Sequence, residues 1–359
     1  MDTSDKEIQF DSKGVCNHCH DYQAFVSNWN LTKRIKNNEF ESLMEEVKTK
    51  GKNKEYDCIL GLSGGVDSSY VAYLAWKNGL RPLCVHLDNG WNSELATQNI
   101  YQIVETCGFD LHTHVIDWEE FKELQRAFFK ADVIDLELLS DHAIFGVIIE
   151  LAKKYGIKSI LSGANFSTEH IMPKSWVHRK QDLANIKDLN RKFGTQKIKS
   201  FPQVSTLKHV FLMFGMGYKV YKPLNLIDFN KKSAKELLIR EFGWRDYGGK
   251  HYESIFTKFY QGHILPEKFK VDKRRAHLST LINSKQITRD EALEELKTPP
   301  IPRSELKQDC EFVLKKLGFD QDWFSKYLER PEIPHLSYKS DQFTYNLLFK
   351  VKEILGKSL

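Results

Sequence analysis

Tyr56-Asp57-Cys58-Ile59-Leu60-Gly61-Leu62-Ser63-Gly64-Gly65-Val66-Asp67-Ser68-Ser69 is the stretch that decides how this chain folds. An apolar run of strand character leads through Gly61 and Leu62 into a Ser-Gly-Gly turn, and a helix is expected from Asp67. A buried strand delivers such a turn to the edge of a sheet. Gly64 and Gly65 have no Cβ, so backbone N–H groups can close around an oxyanion. Ser63, Ser68 and Ser69 add hydroxyls, and the helix adds the positive end of its dipole. A plain strand-to-helix turn would also use capping residues here, but the combination points to a pocket for phosphate.

Two better-known phosphate loops are excluded. No Gly-Lys-Ser/Thr follows at the Walker spacing, and Gly-x-Gly-x-x-Gly is absent. Ser63-Gly64-Gly65-Val66-Asp67-Ser68 resembles instead the Ser-Gly-Gly-x-Asp-Ser pyrophosphate loop (PP-loop) of the N-type ATP pyrophosphatases. The resemblance implies ATP cleavage between the α and β phosphates, with Mg²⁺ beside the nucleotide. It also implies a Rossmann-like α/β fold of the adenine nucleotide alpha hydrolase type.

Composition narrows the class further. With 359 residues the chain can bury a large core and form more than one domain, and its 41% hydrophobic and 28% charged content is ordinary for a soluble globular protein. No apolar run reaches the length of a membrane span, so membrane insertion is not expected. Met1-Asp2-Thr3-Ser4-Asp5-Lys6 shows no basic segment followed by an apolar one, so no secretory signal is visible. The six cysteines are dispersed, with Cys58 and Cys84 in apolar runs, which suggests a reducing compartment and a cytoplasmic location. A net charge of +5 suits an anionic small substrate or a nucleotide, and no nucleic-acid partner is expected from it.

Strand and helix patterns alternate from residue 56 to 163. Strands are expected at 57–62, 81–87, 111–116 and 158–161. Helices are expected at 67–78, from the Ser93 N-cap to Gly108, from Asp117, and at 141–155. This order predicts a mostly parallel sheet with right-handed crossovers and helices on both faces. Ligands on such sheets sit at the carboxyl ends of strands, where the Ser-Gly-Gly turn, His86-Leu87-Asp88 and Ser162-Gly163-Ala164-Asn165 all fall. Before this unit lie a cysteine-bearing segment, a helix near 40–50 and a polar linker. After it, 181–199 reads as a polar surface or mobile loop, 232–242 and 288–297 as amphipathic helices, and 304–359 as largely helical. The expected division is 1–50, a small N-terminal Cys-x-x-Cys segment; 51–230, a PP-loop ATP-binding domain; and 231–359, a mainly helical region completing the substrate site.

A second dense block is Gly248-Gly249-Lys250-His251-Tyr252-Glu253-Ser254-Ile255-Phe256-Thr257, followed by Leu265-Pro266 and Asp272-Lys273-Arg274-Arg275. Cations at Lys250, Lys273 and Arg274 suit the charge on a pentavalent α-phosphorus and departing pyrophosphate. Glu253 or Asp272 suits Mg²⁺ or the orientation of those cations. Composition alone reads this block as a solvated charged face. A third constellation is Cys16-Asn17-His18-Cys19-His20, in which Cys16 and Cys19 supply half of a tetrahedral Zn²⁺ site. Free thiols are the alternative, and the further ligands His18, His20 and the distant Cys310 are weak candidates.

Asp11-Ser12-Lys13-Gly14-Val15-Cys16-Asn17-His18-Cys19, the 63–69 loop, the 248–257 block, Leu265-Pro266 and Asp272-Lys273-Arg274-Arg275 occur in one order. That order resembles the bacterial N-acetyl sugar amidotransferases of lipopolysaccharide O-antigen and flagellin glycan biosynthesis, and the similarity extends over nearly the whole chain. It implies that ATP adenylates the oxygen of an N-acetyl group on a nucleotide-linked sugar, and that ammonia then displaces AMP to leave an acetamidino group. Under it Ser63, Gly64, Gly65, Asp67, Ser68 and Ser69 hold pyrophosphate and metal, and loops at His86, Leu87, Asp88 and Gly163 contact adenine and ribose. Lys273 and Arg274 carry developing phosphate charge, and Lys250, His251 and Glu253 lie towards the sugar. The family usually carries an earlier Cys-x-x-Cys just upstream of a segment like Met1-Asp2-Thr3-Ser4-Asp5, so the zinc site is expected to lack a pair of ligands here.

The nitrogen source is expected to be a separate glutaminase subunit. Met1 is followed by Asp2 rather than cysteine, and no Gly-x-Cys-x-Gly elbow occurs. Homodimerisation is compatible with the reading. The nearest rival is a PP-loop tRNA-thiolating enzyme, which requires a catalytic cysteine near the loop and a broader basic face.

Overall fold

The computed structural model describes residues 1–248 and 252–354. β1 (Cys58–Gly61) is apolar towards both faces, as a strand in the middle of a parallel sheet must be. It lies between β2 (Pro82–Asp88) and β4 (Ser159–Leu161), with Ile59 in register with Leu83 and Ile160. β3 (Asp110–Val115) pairs outside β2, and β5 (Lys219–Tyr221) outside β4. Among the described residues the strands form one parallel sheet in the order β3-β2-β1-β4-β5. The chain therefore winds outward to β3 and returns to the other side of β1, which opens a crevice at the carboxyl ends of β1 and β4.

Successive β1 side chains face opposite layers. Cys58 and Leu60 share a core with Val71, Ala72 and Ala75 of the helix Val66–Lys77, and with Ile100 and Ile103 of the helix Glu94–Cys107. Ile59 packs on the other side with Val147 and Leu151 of the helix Leu138–Lys154. The expected caps are in place. Ser93 accepts from the Ala96 N–H, Asp117 accepts from the Glu120 N–H, and Gly108 closes its helix at φ 65°.

A third core joins the α/β unit to the C-terminal helices. Phe121, Phe128 and Phe129 of the helix Trp118–Lys130 cluster with Phe256, Phe259, Val313, Leu317, Phe324 and Tyr327. Helices therefore cover the sheet, and the C-terminal half packs into the same hydrophobic mass. No helix among the described residues is long and apolar enough to cross a membrane.

The polar run at 181–199 corrects the sequence reading. It is not simply a loop: Leu183–Phe193 is a helix, capped by Asp182, with Leu183, Ile186 and Leu189 buried. Three of its polar residues, Asp182 at the cap, Asn185 and Asp188, are buried as well. Asn185 donates to the carbonyls of His335 and Lys339, and Asp182 accepts from His178 and Ser340. Their partners lie some 150 residues away, so local composition looks like surface. β5 was also missed, because an edge strand of three residues beginning with an exposed lysine carries little pattern.

The same network holds an ion pair of consequence for stability. Asp135 is fully buried and receives Lys180 Nζ at 2.9 and 2.8 Å and the His178 N–H at 2.8 Å. Burial pushes its carboxyl up, but Lys180 and the other positive groups around it win and hold it at about 2 against an ordinary 3.8. The folded value lies below the unfolded one, so the pair stabilises above about pH 4 and that contribution is lost as pH falls towards 2. Asp135→Asn is expected to destabilise by about 2–3 kcal/mol at neutral pH, because half-buried Lys180 keeps only Asp141, at 2.9 Å, and the His178 N–H loses its charged acceptor. Urea titrations of both proteins should show the gap closing between about pH 4 and 2; a gap independent of pH would refute this.

Candidate active site

The turn after β1 is held by its own side chains. Leu62 N–H bonds the Val85 carbonyl at 2.9 Å, which carries the chain to the sheet edge. Ser63 Oγ and Ser68 Oγ lie 3.1 Å apart, Gly65 N–H donates to Ser63 Oγ, and Ser68 Oγ donates to the Gly65 carbonyl. Gly64 adopts φ +82°, and a Cβ there would come within 2.7 Å of the Ala96 carbonyl oxygen. Trp244 Nε1 donates to the Gly64 carbonyl at 2.9 Å, fixing the turn from the C-terminal side. Gly65 caps the helix Val66–Lys77, and Asp67 stands in its first turn.

This turn lines a cavity of about 580 Å³. Ser63, Gly65, Asp67 and Ser68 face it from the PP-loop, Gly163 and Thr168 from the segment after β4, and Glu253, Lys273 and Arg274 from the C-terminal region. Residues more than 200 positions apart in sequence thus meet around one space. Thr168 Oγ1 donates to Asp67 at 3.4 Å. Glu253 is placed by backbone stitching to the loop after β2: Ser93 N–H bonds the Glu253 carbonyl at 2.9 Å, and Ile255 N–H bonds the Trp91 carbonyl at 2.8 Å. Lys273, in the first turn of the helix Lys273–Asn283, is nearly buried and donates to Glu137 at 3.2 Å. Gln261 donates to the same carboxylate at 3.0 Å.

The other expected site residues lie elsewhere. Gly61, Leu62, Gly64 and Ser69 are not among the lining residues; Leu62 and Ser69 are buried beneath the turn. His86, Leu87 and Asp88 are also outside the lining. His86 Nδ1 donates to the Leu62 carbonyl at 3.2 Å and Nε2 accepts from Asn92 at 3.0 Å, while burial lowers its pKa and keeps it neutral. Asp88 accepts from the Gly90 N–H at 2.9 Å. Through His86 this strand end braces the PP-loop. Lys250 and His251 fall outside the described residues. Sequence reasoning missed Thr168, Lys231, Lys235, Tyr247 and the 298–300 segment, which also line the cavity. Tyr247 directly precedes the Gly248–Thr257 block; the others have no local signal.

Gly163 has a steric reason. A Cβ there would lie 2.8 Å from the Ser68 nitrogen and 2.9 Å from the Asp67 carbonyl carbon, both backbone atoms of the phosphate turn. Gly163→Ala is expected to displace that turn and weaken binding of a non-hydrolysable ATP analogue by about tenfold to a hundredfold. Calorimetry showing unchanged affinity would mean that the contact does not shape the site.

Asp67 fits Mg²⁺, which needs only one or two carboxylates when phosphates and water complete its shell. Asp272 is otherwise engaged, capping its helix and pairing with Arg274 at 2.8 Å. Cys16 and Cys19 bring their sulfurs to 3.4 Å, half of a thiolate site. His18 and His20 are taken by Asp5 and Asp11, and Cys310 sits beside Gln321. No group of three or more metal-ligating side chains occurs among the described residues, so these do not make a complete zinc site.

Comparison with known proteins agrees with the two halves of the cavity. Residues 35–136 match the family model for NAD synthase, and residues 253–352 match that for the LPS biosynthesis protein WbpG-like, C-terminal domain. The chain therefore has an NAD synthase-like PP-loop domain. Joined to it is a WbpG-like C-terminal domain, which supplies Glu253, Lys273 and Arg274. A probable tRNA sulfurtransferase of Anoxybacillus flavithermus is 31% identical over 110 residues, 29% of this chain and only about a quarter (27%) of that relative. Among solved structures, an NH3-dependent NAD synthetase from Campylobacter jejuni is 15% identical with a TM-score of 0.35, covering 74% of this chain and 97% of that one. An NMN synthetase from Francisella tularensis is 15% identical with a TM-score of 0.31, covering 57% and 92%.

Proposed function

We propose that this protein is an ATP-dependent amidotransferase that converts the N-acetyl group of a nucleotide-linked sugar into an acetamidino group. The observation that carries the reading is that Lys273, within the WbpG-like segment, lines the same cavity as the PP-loop. A site for cleaving ATP is thereby joined to a segment related to polysaccharide biosynthesis. In the proposed reaction the acetamido oxygen attacks the α-phosphorus and pyrophosphate leaves. Ammonia then adds to the activated carbon, loses protons, and AMP departs with the former amide oxygen. Adenylation is needed because an unactivated amide oxygen is a poor leaving group.

Each residue has a definite task in this reading. The PP-loop N–H groups and the hydroxyls of Ser63 and Ser68 bind pyrophosphate, and Asp67 holds Mg²⁺, which neutralises phosphate charge. Lys273 faces the charge that grows on the transferring group. Ammonia comes from a separate glutaminase, and the pathway is that of O-antigen or flagellin glycan.

The tRNA-thiolating alternative needs a reactive cysteine at the loop. Among the described residues no cysteine lines the cavity. Cys58 and Cys84 are core residues whose thiols burial raises, and Cys107 is pushed up to about 12, so all three stay protonated at neutral pH. The test is a product assay with ATP, ammonium and a panel of nucleotide-linked acetamido sugars. AMP and pyrophosphate in step with an acetamidino product are expected. Turnover that requires tRNA, or none with any acetamido sugar, would overturn the proposal, and glutamine-driven turnover by the pure chain would remove the separate glutaminase.

A further inference from the structure

One wall of the cavity is a short strap between two helices, Arg289–Lys297 and Arg303–Leu317. Thr298, Pro299 and Pro300 line the cavity. Three of the five residues at 298–302 are proline, so most of the strap has its φ angles locked. It is also pinned from outside. Tyr252 Oη donates to the Pro300 carbonyl at 2.5 Å. Ile301 is buried against Gly262, where a Cβ would come within 2.5 Å of the Ile301 side chain.

The third pin is Arg274. Its Nη1 donates to the carbonyls of Thr298 at 2.9 Å and Glu295 at 3.3 Å. Nε and Nη2 meet the Asp272 carboxylate at 3.1 and 2.8 Å. An arginine that binds phosphate uses such a two-pronged edge for the anion. Here that edge already has a carboxylate on it, and the other prong holds the strap. The arrangement makes Arg274 a brace.

We propose that the strap is the acceptor wall of the active-site cavity, and that Arg274 and Tyr252 are positioning residues that hold it. This rests on the reading of the cavity as the place where ATP meets a small N-acetylated sugar. A preformed wall of prolyl rings binds a compact acceptor without an ordering cost and presents apolar surface to the acetamido methyl and the sugar ring. ATP is bound from the PP-loop side and does not depend on the strap.

The test compares wild type with Tyr252→Phe, Arg274→Gln and Arg274→Lys, measuring acceptor KM, kcat and affinity for a non-hydrolysable ATP analogue. Tyr252→Phe should raise acceptor KM by about fivefold and Arg274→Gln by about fiftyfold. Analogue affinity should move by less than about twofold in both. Arg274→Lys should not restore KM, because one ammonium cannot span the carboxylate and the strap carbonyls. Weakened analogue binding or a kcat loss in Arg274→Gln, with Tyr252→Phe silent, would return Arg274 to the phosphates and overturn the proposal. If no acetamido sugar supports turnover in wild type, the proposed reaction fails separately. The strap is then read by amide exchange at Thr298 and Ile301: faster exchange in both variants supports it, and unchanged exchange overturns it.

Discussion

Asp67→Asn is expected to lower kcat for AMP and pyrophosphate formation by about a thousandfold. The carboxylate stands in the first turn of the helix Val66–Lys77 and faces the cavity beside Ser63 and Ser68. It is the acid that the phosphate turn itself supplies. Asparagine keeps the shape and can still accept from Thr168, so the fold should survive. What disappears is the charge that would hold Mg²⁺ against the phosphates, a contribution of several kcal/mol where charge moves during the reaction. Raising Mg²⁺ should recover part of the rate. A kcat within about tenfold of wild type would remove Asp67 from the metal role.

Lys273→Met is expected to cost about a hundredfold to a thousandfold in kcat. The lysine is nearly buried, where a charge acts through little solvent, and it lines the cavity from the C-terminal side. Its bond to Glu137 means that the same substitution also costs about 1–3 kcal/mol of stability. The two effects separate in the double variant Lys273→Met with Glu137→Gln, which should regain stability but not rate. Melting and turnover measured on the same preparations decide the matter. A double variant that regains the rate would make Lys273 purely structural.

Much of the fold was legible because its signals are local. Strands buried on both faces read as apolar runs, and Ser93, Gly108 and Asp117 mark helix ends by hydrogen bonds to immediate neighbours or by a left-handed φ. The helix Leu183–Phe193 was hidden for the opposite reason. Its buried Asp182, Asn185 and Asp188 are satisfied by a segment near residue 340, and a single window of sequence contains only half of that network. The partners of His86 were hidden in a similar way. A polar residue at a strand end suggests a ligand contact, yet both ring nitrogens are used inside the protein.

The sequence alone determined the chemistry of the phosphate end: strand, Ser-Gly-Gly turn, and a helix bearing Asp67, all within fourteen consecutive residues. Helix dipole, glycine freedom and hydroxyl donors are properties of neighbours in the chain, so their order is enough. The opposite end of the cavity belongs to tertiary structure. Lys273 was nameable from its motif, but its burial against Glu137 and its place facing the PP-loop follow only from packing the C-terminal helices on the sheet. Arg274 shows the limit most clearly. Its charge suggested phosphate, while its partners, a carboxylate two residues away and carbonyls more than twenty away, are what carry the proposal that it holds a wall. A side chain's charge is written in the sequence; which atoms it faces is settled only when distant segments close around it.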